Sequence, residues 1–291
     1  MHSIDLKKYN IRTDMVVDIL DDKSDFKYET YKKHGVIVSW MKLDKINVFN
    51  KKEGNYITIE FSDITDTNKR KKLEKILTEE LMKMLNIIKY KSNYKTMVVG
   101  LGNNKSTPDS LGPLVTEKII VTNHLYTLGI DVDKKLSRSV SISPGVMAST
   151  GIETSDYINA LVKKIKPDLL IVVDSLASSS VSRLNKSIQI TDSGISPGSG
   201  VGNNRKEISK DTLNIPVIAI GVPTVVEATT IIYDTLKYMI DDNKKLDNII
   251  DKSLSKNLNL MVTPKEIDFV IDKLSDVISY AINHSIHKLF K

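Results

Sequence analysis

The sequence predicts an α/β protein: a three-layer α/β/α core with a mainly parallel sheet, plus a small N-terminal antiparallel β region. Three observations predict this fold class. Short apolar runs at residues 96–99, 169–173 and 217–220 each lead into a polar turn and then a helical pattern, as buried parallel strands do. Residues 36–40, 46–49 and 56–61 are short β-like runs separated by lysine, asparagine and glycine clusters. Residues 68–88 repeat apolar side chains every three or four positions, which indicates an amphipathic helix.

Helix start signals follow the predicted core strands. A helix is predicted over residues 111–128, another after a capping box at residues 224–227, and a last one over residues 264–288 after a second capping box. The pattern changes near residue 95, so residues 15–94 form an N-terminal β-rich region with the amphipathic helix. Residues 95–291 form the α/β core with the C-terminal helix. Right-handed crossovers place a reaction site at the carboxyl ends of the strands.

Composition excludes several classes of function. The chain of 291 residues has no cysteine, which excludes disulfide scaffolds, thiol catalysis and thiolate metal sites. Its net charge of +6 comes from interspersed charges, so no nucleic-acid partner is predicted. No apolar run approaches the roughly 18–20 residues of a membrane helix, and the N-terminus does not resemble a secretory signal. We therefore expect a cytoplasmic protein that does not enter a membrane.

Familiar cofactor and catalytic motifs are incomplete. Residues 100–105 lack the third glycine of G-x-G-x-x-G, and in residues 198–203 that glycine comes one place early. Residues 194–198 match G-x-S-x-G, but Pro197 follows the serine and has no N–H for an oxyanion hole. The five histidines are mostly terminal or isolated, so no metal site and no cofactor is predicted.

Two aspartates carry more information. Asp109 follows the first core strand, in the first turn of the next helix, and Asp174 ends the strand that begins near residue 169. Both are expected at one edge of the sheet. Two carboxyl groups in a partly dehydrated crevice cannot both ionise cheaply, so the pKa of one rises and the pair can act as acid and base on water. Helix-dipole interaction and turn capping are the structural alternatives for these side chains.

Two alternatives to acid–base catalysis stay open at this point. The same carboxylates could serve as metal ligands of a metal-dependent enzyme, or the chain could be a non-enzymatic anion-binding assembly module. Backbone N–H groups of two glycine loops are candidate oxyanion or substrate-binding donors. These candidates are Gly102, Asn103, Asn104, Gly198, Gly200 and Gly202.

Seven stretches of the chain, in order, resemble the germination proteases of endospore-forming bacteria. They are VVGLGN at 98–103, TPDSLGP at 107–113, SPGVM at 143–147, TGIETSD at 150–156, PGSGVGN at 197–203, PVIAIGVPTVV at 216–226 and NLMVTPKE at 259–266. The resemblance implies an endopeptidase that degrades small acid-soluble spore proteins early in germination, with a fold similar to that of hydrogenase maturation proteases. It also implies that Asp109 and Asp174 are the catalytic aspartates.

The resemblance further implies a zymogen, a homotetramer and a location in the cytoplasm of the forespore and spore core. The family is activated by a cut near the N-terminus at an acid followed by an apolar residue, which matches Asp14 and Met15 here. Residues 1–14 are therefore a predicted propeptide that is removed autocatalytically. Two departures from the family pattern stand out: residues 241–258 are shorter than usual, and residues 178–180 are serines near the position of a usual arginine, for which Arg183 is the nearest substitute.

Overall fold

The computed structural model describes residues 13–20, 28–45, 51–198, 205–237, 239–240, 249 and 260–289. The strands are β1 (Glu29–Lys33), β2 (Val36–Leu43), β3 (Gly54–Glu60), β4 (Lys95–Gly100), β5 (Arg138–Ile142), β6 (Leu169–Ser178), β7 (Ser187–Thr191), β8 (Val217–Glu227) and β9 (Met261–Val262). The α-helices are α1 (Val16–Leu20), α2 (Thr67–Ile87), α3 (Leu111–Glu117), α4 (Asn123–Thr127), α5 (Met147–Thr150), α6 (Thr154–Ile165), α7 (Lys210–Leu213), α8 (Ala228–Lys237) and α9 (Ile267–Ile286). Two 3₁₀ turns cover Thr107–Asp109 and Val181–Arg183.

The described strands form one nine-stranded sheet in the order β1-β2-β3-β7-β8-β6-β4-β5, with β9 added on β8. Strands β8, β6, β4 and β5 run parallel to one another, and β1, β2, β3 and β7 join through antiparallel pairs. The predicted fold class is confirmed. The N-terminal strands extend the same sheet because β3 pairs with β7, with Ile57 opposite Ile190. The division at residue 95 stays a prediction about domains.

Helices cover both faces of the parallel strands, because consecutive strand side chains point to opposite faces. Val98 and Ile171 belong to an apolar cluster shared with α2, α3 and α9. Val99 and Val172 belong to a second cluster on the other face, shared with α6 and α7. These two clusters make the three layers of the core.

The helix predicted over residues 111–128 is wrong as a single element. Helix α3 ends at Glu117 and α4 begins at Asn123. Asn283 of α9 explains the break, since its side chain accepts a hydrogen bond from Ile120 N (2.9 Å) and donates one to Lys118 O (3.0 Å). A side chain thereby satisfies backbone groups that a continuous helix would pair internally.

Two strands run further than the sequence indicated. Strand β6 continues past Asp174 to Ser178, and β8 includes residues 224–227, where a capping box was predicted. Pairing explains the extension of β8, because Val226 lies opposite both Ser178 of β6 and Val262 of β9. The last helix begins at Ile267, so the second predicted capping box is wrong as well.

The amphipathic helix is observed as α2, and its N-cap Asp66 accepts hydrogen bonds from the next turn. The predicted strand at residues 46–49 lies outside the described residues. None of the helices in the described part of the chain is both long and apolar enough to cross a membrane.

Candidate active site

A cleft of about 370 Å³ opens at the carboxyl ends of β4, β6 and β8. Asp109 and Asp174 both line it, as does Asp14 from the N-terminal segment. A recess of about 350 Å³ adjoins the cleft and shares Asp14 and Asp174 with it. The structure thus brings the two predicted catalytic aspartates together with the predicted processing site.

The position of Asp109 is fixed by a tight loop after β4. Asp109 ends a 3₁₀ turn and precedes α3, so it lies just before the helix rather than within its first turn. Its carbonyl oxygen accepts a hydrogen bond from Asn103 N (2.8 Å). Gly102 has φ +111°, and a Cβ there would lie 2.1 Å from Asp109 O, so the loop requires glycine at this position. Thr224 of β8 donates to Pro108 O (2.7 Å) and ties the turn to the sheet.

Asp174 lies within β6, opposite Gly221 of β8, and is 5% exposed. Its Oδ1 accepts a hydrogen bond from Ser175 N (2.9 Å). A side chain in the middle of a central strand cannot move with a loop. Asp174 is therefore the rigid member of the pair, and the loop after β4 places Asp109 at the same cleft.

Burial raises the pKa of both carboxyl groups. Desolvation raises the pKa of Asp109 to about 6, against a smaller lowering by the Asn103 N–H. Desolvation also raises the pKa of Asp174 well above its ordinary value, and the negative charges of Asp109 and Asp14 raise it further. The charge of Asp109 thus makes it harder for Asp174 to ionise, which favours a pair that holds one proton.

The segment around the predicted processing site lies along β6. Asp14 N donates to Ala177 O (3.0 Å), and Ala177 N donates to the Asp14 carboxylate oxygen Oδ2 (2.9 Å). Thr13 Oγ1 accepts a hydrogen bond from Met15 N (3.1 Å). Met15 is fully buried in an apolar cluster that includes Leu176. The acid and the apolar residue that flank the predicted cut are each held by the protein itself.

Two side chains that the sequence did not single out contact this segment. Gln189 of β7 donates to Asp14 O (3.2 Å) and accepts from Val16 N (2.8 Å). Lys51 Nζ lies 2.9 Å from Thr13 O and 3.5 Å from Asp14 O. The sequence signal for Gln189 is an amide between two isoleucines, and Lys51 belongs to a lysine-rich cluster between two β-like runs.

The other predicted donors are scattered. Gly102 and Gly198 line the cleft, whereas the N–H of Asn103 donates to Asp109 O, and Asn104 is exposed. Gly200 and Gly202 lie outside the described residues. The role of these glycine-loop N–H groups as oxyanion donors stays a prediction.

Arg183 forms ion pairs with Asp18 (2.9 Å) and Glu60 (3.0 Å). Asp18 also accepts hydrogen bonds from the Ser178 hydroxyl and from Ser179 N. These contacts anchor α1, which begins one residue after Met15, to the loop after β6. The arginine near the second aspartate thus holds the chain on the C-terminal side of the predicted cut.

Among the residues that the structure describes, no three histidine, aspartate or glutamate side chains are grouped so that they could hold a metal ion. The arrangement consists of two carboxyl groups with raised pKa values at one cleft. Such a pair is suited to moving protons to and from a water molecule.

A family model described as germination protease matches residues 7–257. The chain belongs to the germination protease family. Curated germination proteases from Bacillus licheniformis, Bacillus thuringiensis and Bacillus cereus are 38%, 37% and 36% identical to it, and each alignment covers 98% of this chain and 95% of the relative. As a member of the germination protease family, the protein is a peptidase.

One solved structure, a [NiFe] hydrogenase maturation protease HycI from Thermococcus kodakarensis, overlaps with this germination protease family member at a TM-score of 0.32 and 16% identity. The overlap covers 65% of this chain and 92% of that chain.

Proposed function

We propose that the protein is a self-processing endopeptidase that initiates the degradation of small acid-soluble spore proteins during spore germination, in the cytoplasm of the spore core. Asp109 and Asp174 activate the attacking water. The observation that carries the proposal is the placement of these two acids at one cleft with raised pKa values. Membership of the germination protease family supports a peptidase that acts in germination. The spore-protein substrate and a homotetrameric assembly are proposed from the sequence resemblance.

The reaction needs one proton on the pair. The ionised acid takes a proton from water as the water oxygen attacks the peptide carbonyl carbon. The protonated acid then gives its proton to the leaving amine, and the C–N bond breaks to a carboxyl group and an amine. Because Asp174 is the more deeply buried and its pKa is raised by two neighbouring acids, it holds the proton, and Asp109 serves as the base.

The Asp14–Met15 bond is the proposed processing site, and residues 1–14 are the proposed propeptide. The carboxylate of Asp14 contacts a backbone N–H of β6, and Met15 fills an apolar pocket. Once cleavage has released Asp14 and Met15 from these places, the same contacts select an acidic residue followed by an apolar one in a spore protein. In the uncut chain this segment occupies the cleft that a substrate would enter, which makes the precursor a zymogen.

The test is a gel assay of wild-type protein, Asp109→Asn and Asp174→Asn against a purified small acid-soluble spore protein. Removing either acid is expected to lower the cleavage rate by roughly 10²–10⁴ and to block removal of residues 1–14. Asp131→Asn is the matched control, because Asp131 is exposed and does not line the cleft. This variant should cut at the wild-type rate.

Equal cleavage by the wild type and the two variants would refute the proposal. Loss of cleavage after exhaustive chelation would instead favour the alternative in which the same carboxylates bind a metal. N-terminal sequencing of the processed chain should begin at Met15, and an intact Met1 in the active form would rule out the propeptide.

A further inference from the structure

Gln189 spans the proposed scissile bond. Its side-chain N–H donates to the carbonyl oxygen of Asp14, and its side-chain oxygen accepts from the N–H of Val16. An amide has one donor end and one acceptor end, and the two backbone groups here are an acceptor and a donor. The orientation of the amide is therefore set by the chain that it holds.

The surroundings of Gln189 show why this side chain needs an occupant of the cleft. Gln189 is 6% exposed, and the neighbouring Ile188 and Ile190 are fully buried in the core. A buried amide without hydrogen-bond partners costs about 1–3 kcal/mol. Within the described part of the chain, the side-chain hydrogen bonds of Gln189 go to residues 14 and 16. Once residues 1–14 leave, the donor end of the amide loses its partner, the carbonyl oxygen of Asp14, and can donate to the carbonyl group of another chain.

Lys51 brings a positive charge to the same carbonyl group. Its ammonium group lies 2.9 Å from Thr13 O and 3.5 Å from Asp14 O. Burial lowers the pKa of Lys51, while the carboxylates of Asp14 and Asp18 act in the opposite direction. Lys51 and Gln189 both line the recess that adjoins the cleft, and they approach the carbonyl oxygen of Asp14 from that recess.

We infer that Gln189 and Lys51 form the oxyanion site of the protease, with Gln189 donating directly to the carbonyl oxygen of the residue before the scissile bond. The inference rests on the proposed function, because it needs Asp109 and Asp174 to deliver the water. Gln189 is a catalytic residue in this arrangement, since it touches a reacting atom. In the uncut chain it also contacts backbone groups on both sides of the bond, the carbonyl oxygen of Asp14 and the N–H of Val16, so these contacts do not depend on the side chains.

The chemistry follows from the contacts. When water adds to the carbonyl carbon, the carbonyl oxygen gains negative charge, and the Gln189 N–H and the Lys51 ammonium group stabilise it. The electron pair of the oxyanion then re-forms the C=O bond as the C–N bond breaks, and the leaving nitrogen of the following residue takes the proton from the acid pair. No group beyond water is consumed.

The experiment compares two variants in the full-length chain, with self-cleavage and cleavage of an acid-soluble spore protein as readouts. Gln189→Glu keeps the acceptor for the N–H of the substrate and removes the donor to the carbonyl. It is expected to lower kcat by roughly 10²–10³ with KM changed less than about threefold, and to lower the first-order self-cleavage rate by a similar factor. Lys51→Met removes the charge and should lower kcat by roughly tenfold or more.

Lys52→Met is the matched control, since this neighbouring lysine forms ion pairs with Glu207 and Asp211 and should cut at the wild-type rate. Thermal unfolding of each variant checks the fold. If Gln189→Glu does not fold, Lys51→Met alone carries the test, because methionine keeps the apolar part of the side chain and removes only its charged end.

The outcomes separate this inference from the proposed function. If Asp174→Asn is inactive but Gln189→Glu and Lys51→Met both cut at the wild-type rate, the oxyanion assignment is wrong and the aspartate mechanism stands. A higher KM with unchanged kcat would also overturn the assignment, because it would show ground-state binding only. If wild type and Asp174→Asn behave alike, both proposals fall together.

Discussion

At the scale of single residues, the two aspartates are held where their charged forms are disfavoured. Asp109 is half-buried and Asp174 is buried, and desolvation is the largest cause of the raised pKa of each. A group placed for chemistry in this way lowers the stability of the folded protein. The cost can be measured, because it depends on pH.

Asp109→Asn is expected to stabilise the protein at neutral pH. The folded chain binds the Asp109 proton more tightly than the unfolded chain, with a pKa near 6 instead of 3.8, so wild-type stability falls as pH rises from about 4 to 6. Asparagine does not ionise, so the stability of Asp109→Asn lacks this contribution to the pH dependence. At pH 7.5 its free energy of unfolding should exceed that of wild type by about 1–2 kcal/mol, and the gap should shrink towards pH 4.

Urea unfolding of wild type and Asp109→Asn at pH 4, 6 and 7.5 measures this gap. The exposed Asp131→Asn is the control and should stay within about 0.5 kcal/mol of wild type at each pH. A gap that grows as pH falls would contradict the assigned direction of the pKa shift.

The pKa of Asp109 also predicts the acid limb of activity. Below about pH 6 both acids carry a proton, and no base remains for the water. The first-order rate of self-cleavage should therefore fall about tenfold for each pH unit below that point. On the alkaline side, the rate should fall when Asp174 loses its proton. Rates measured from pH 4 to 9 test this, and a rate that stays level down to pH 4 would argue against Asp109 as the base.

Sequence reasoning singled out the two aspartates that line the cleft, but not the side chains that contact the carbonyl oxygen of Asp14. Asp109 and Asp174 follow strand-like apolar runs. The carboxyl ends of parallel strands lie at one edge of a sheet, whatever the order of the strands. Gln189 and Lys51 reach the segment only because β7 pairs antiparallel with β8 and β3 pairs with β7. Local patterns do not specify which distant strands pair, so these contacts could not be predicted.

At the scale of elements, the approach of α3 to β4 sets the position of Asp109. A Cβ on Gly112 would lie 2.2 Å from Leu101 O, and one on Gly100 would lie 2.1 Å from Gly112 O. The helix therefore packs directly on the strand backbone. A side chain at either position would push apart the loop that carries Asp109.

Gly112→Ala tests this packing, and the sign of its effect is informative. In an unobstructed helix, alanine in place of glycine stabilises by up to about 1 kcal/mol. Here the clash with backbone should destabilise by about 1–3 kcal/mol and displace Asp109, with roughly a 10²-fold loss of cleavage rate. Urea unfolding and the gel assay measure the two effects. A more stable and fully active variant would show that the helix moves without disturbing the site.

Element boundaries show where sequence patterns stop being sufficient. Helix α2 was predicted closely, because its stripe and its cap are local features. The break after α3 and the extension of β8 were not predicted, because they depend on Asn283 and β9, which come from distant parts of the chain. The residues near 224 and 263 both carry a helix-start signal. Near residue 224, pairing of β8 with β6 and β9 keeps the chain in a strand instead.

At the scale of the whole molecule, one sheet joins the N-terminal strands to the parallel core, and the proposed processing segment lies across that junction. Residue 14 contacts Ala177 of β6, Gln189 of β7 and Lys51 of the segment before β3. The proposed substrate site therefore needs both the N-terminal strands and the parallel core. Sequence patterns described each half, but the pairing of β3 with β7 that unites them was visible only in the structure.

The seating of this segment predicts that self-cleavage is unimolecular. The Asp14–Met15 bond already lies in the cleft of its own chain, so no encounter with a second molecule is needed. The first-order rate of propeptide removal should stay constant over a hundredfold dilution. A processed wild-type chain mixed with full-length Asp174→Asn should leave that chain uncut, because its processing site is buried in its own cleft. A rate that rises with concentration, or prompt cutting of the Asp174→Asn chain, would place the reaction between molecules and make the observed seating a resting state only.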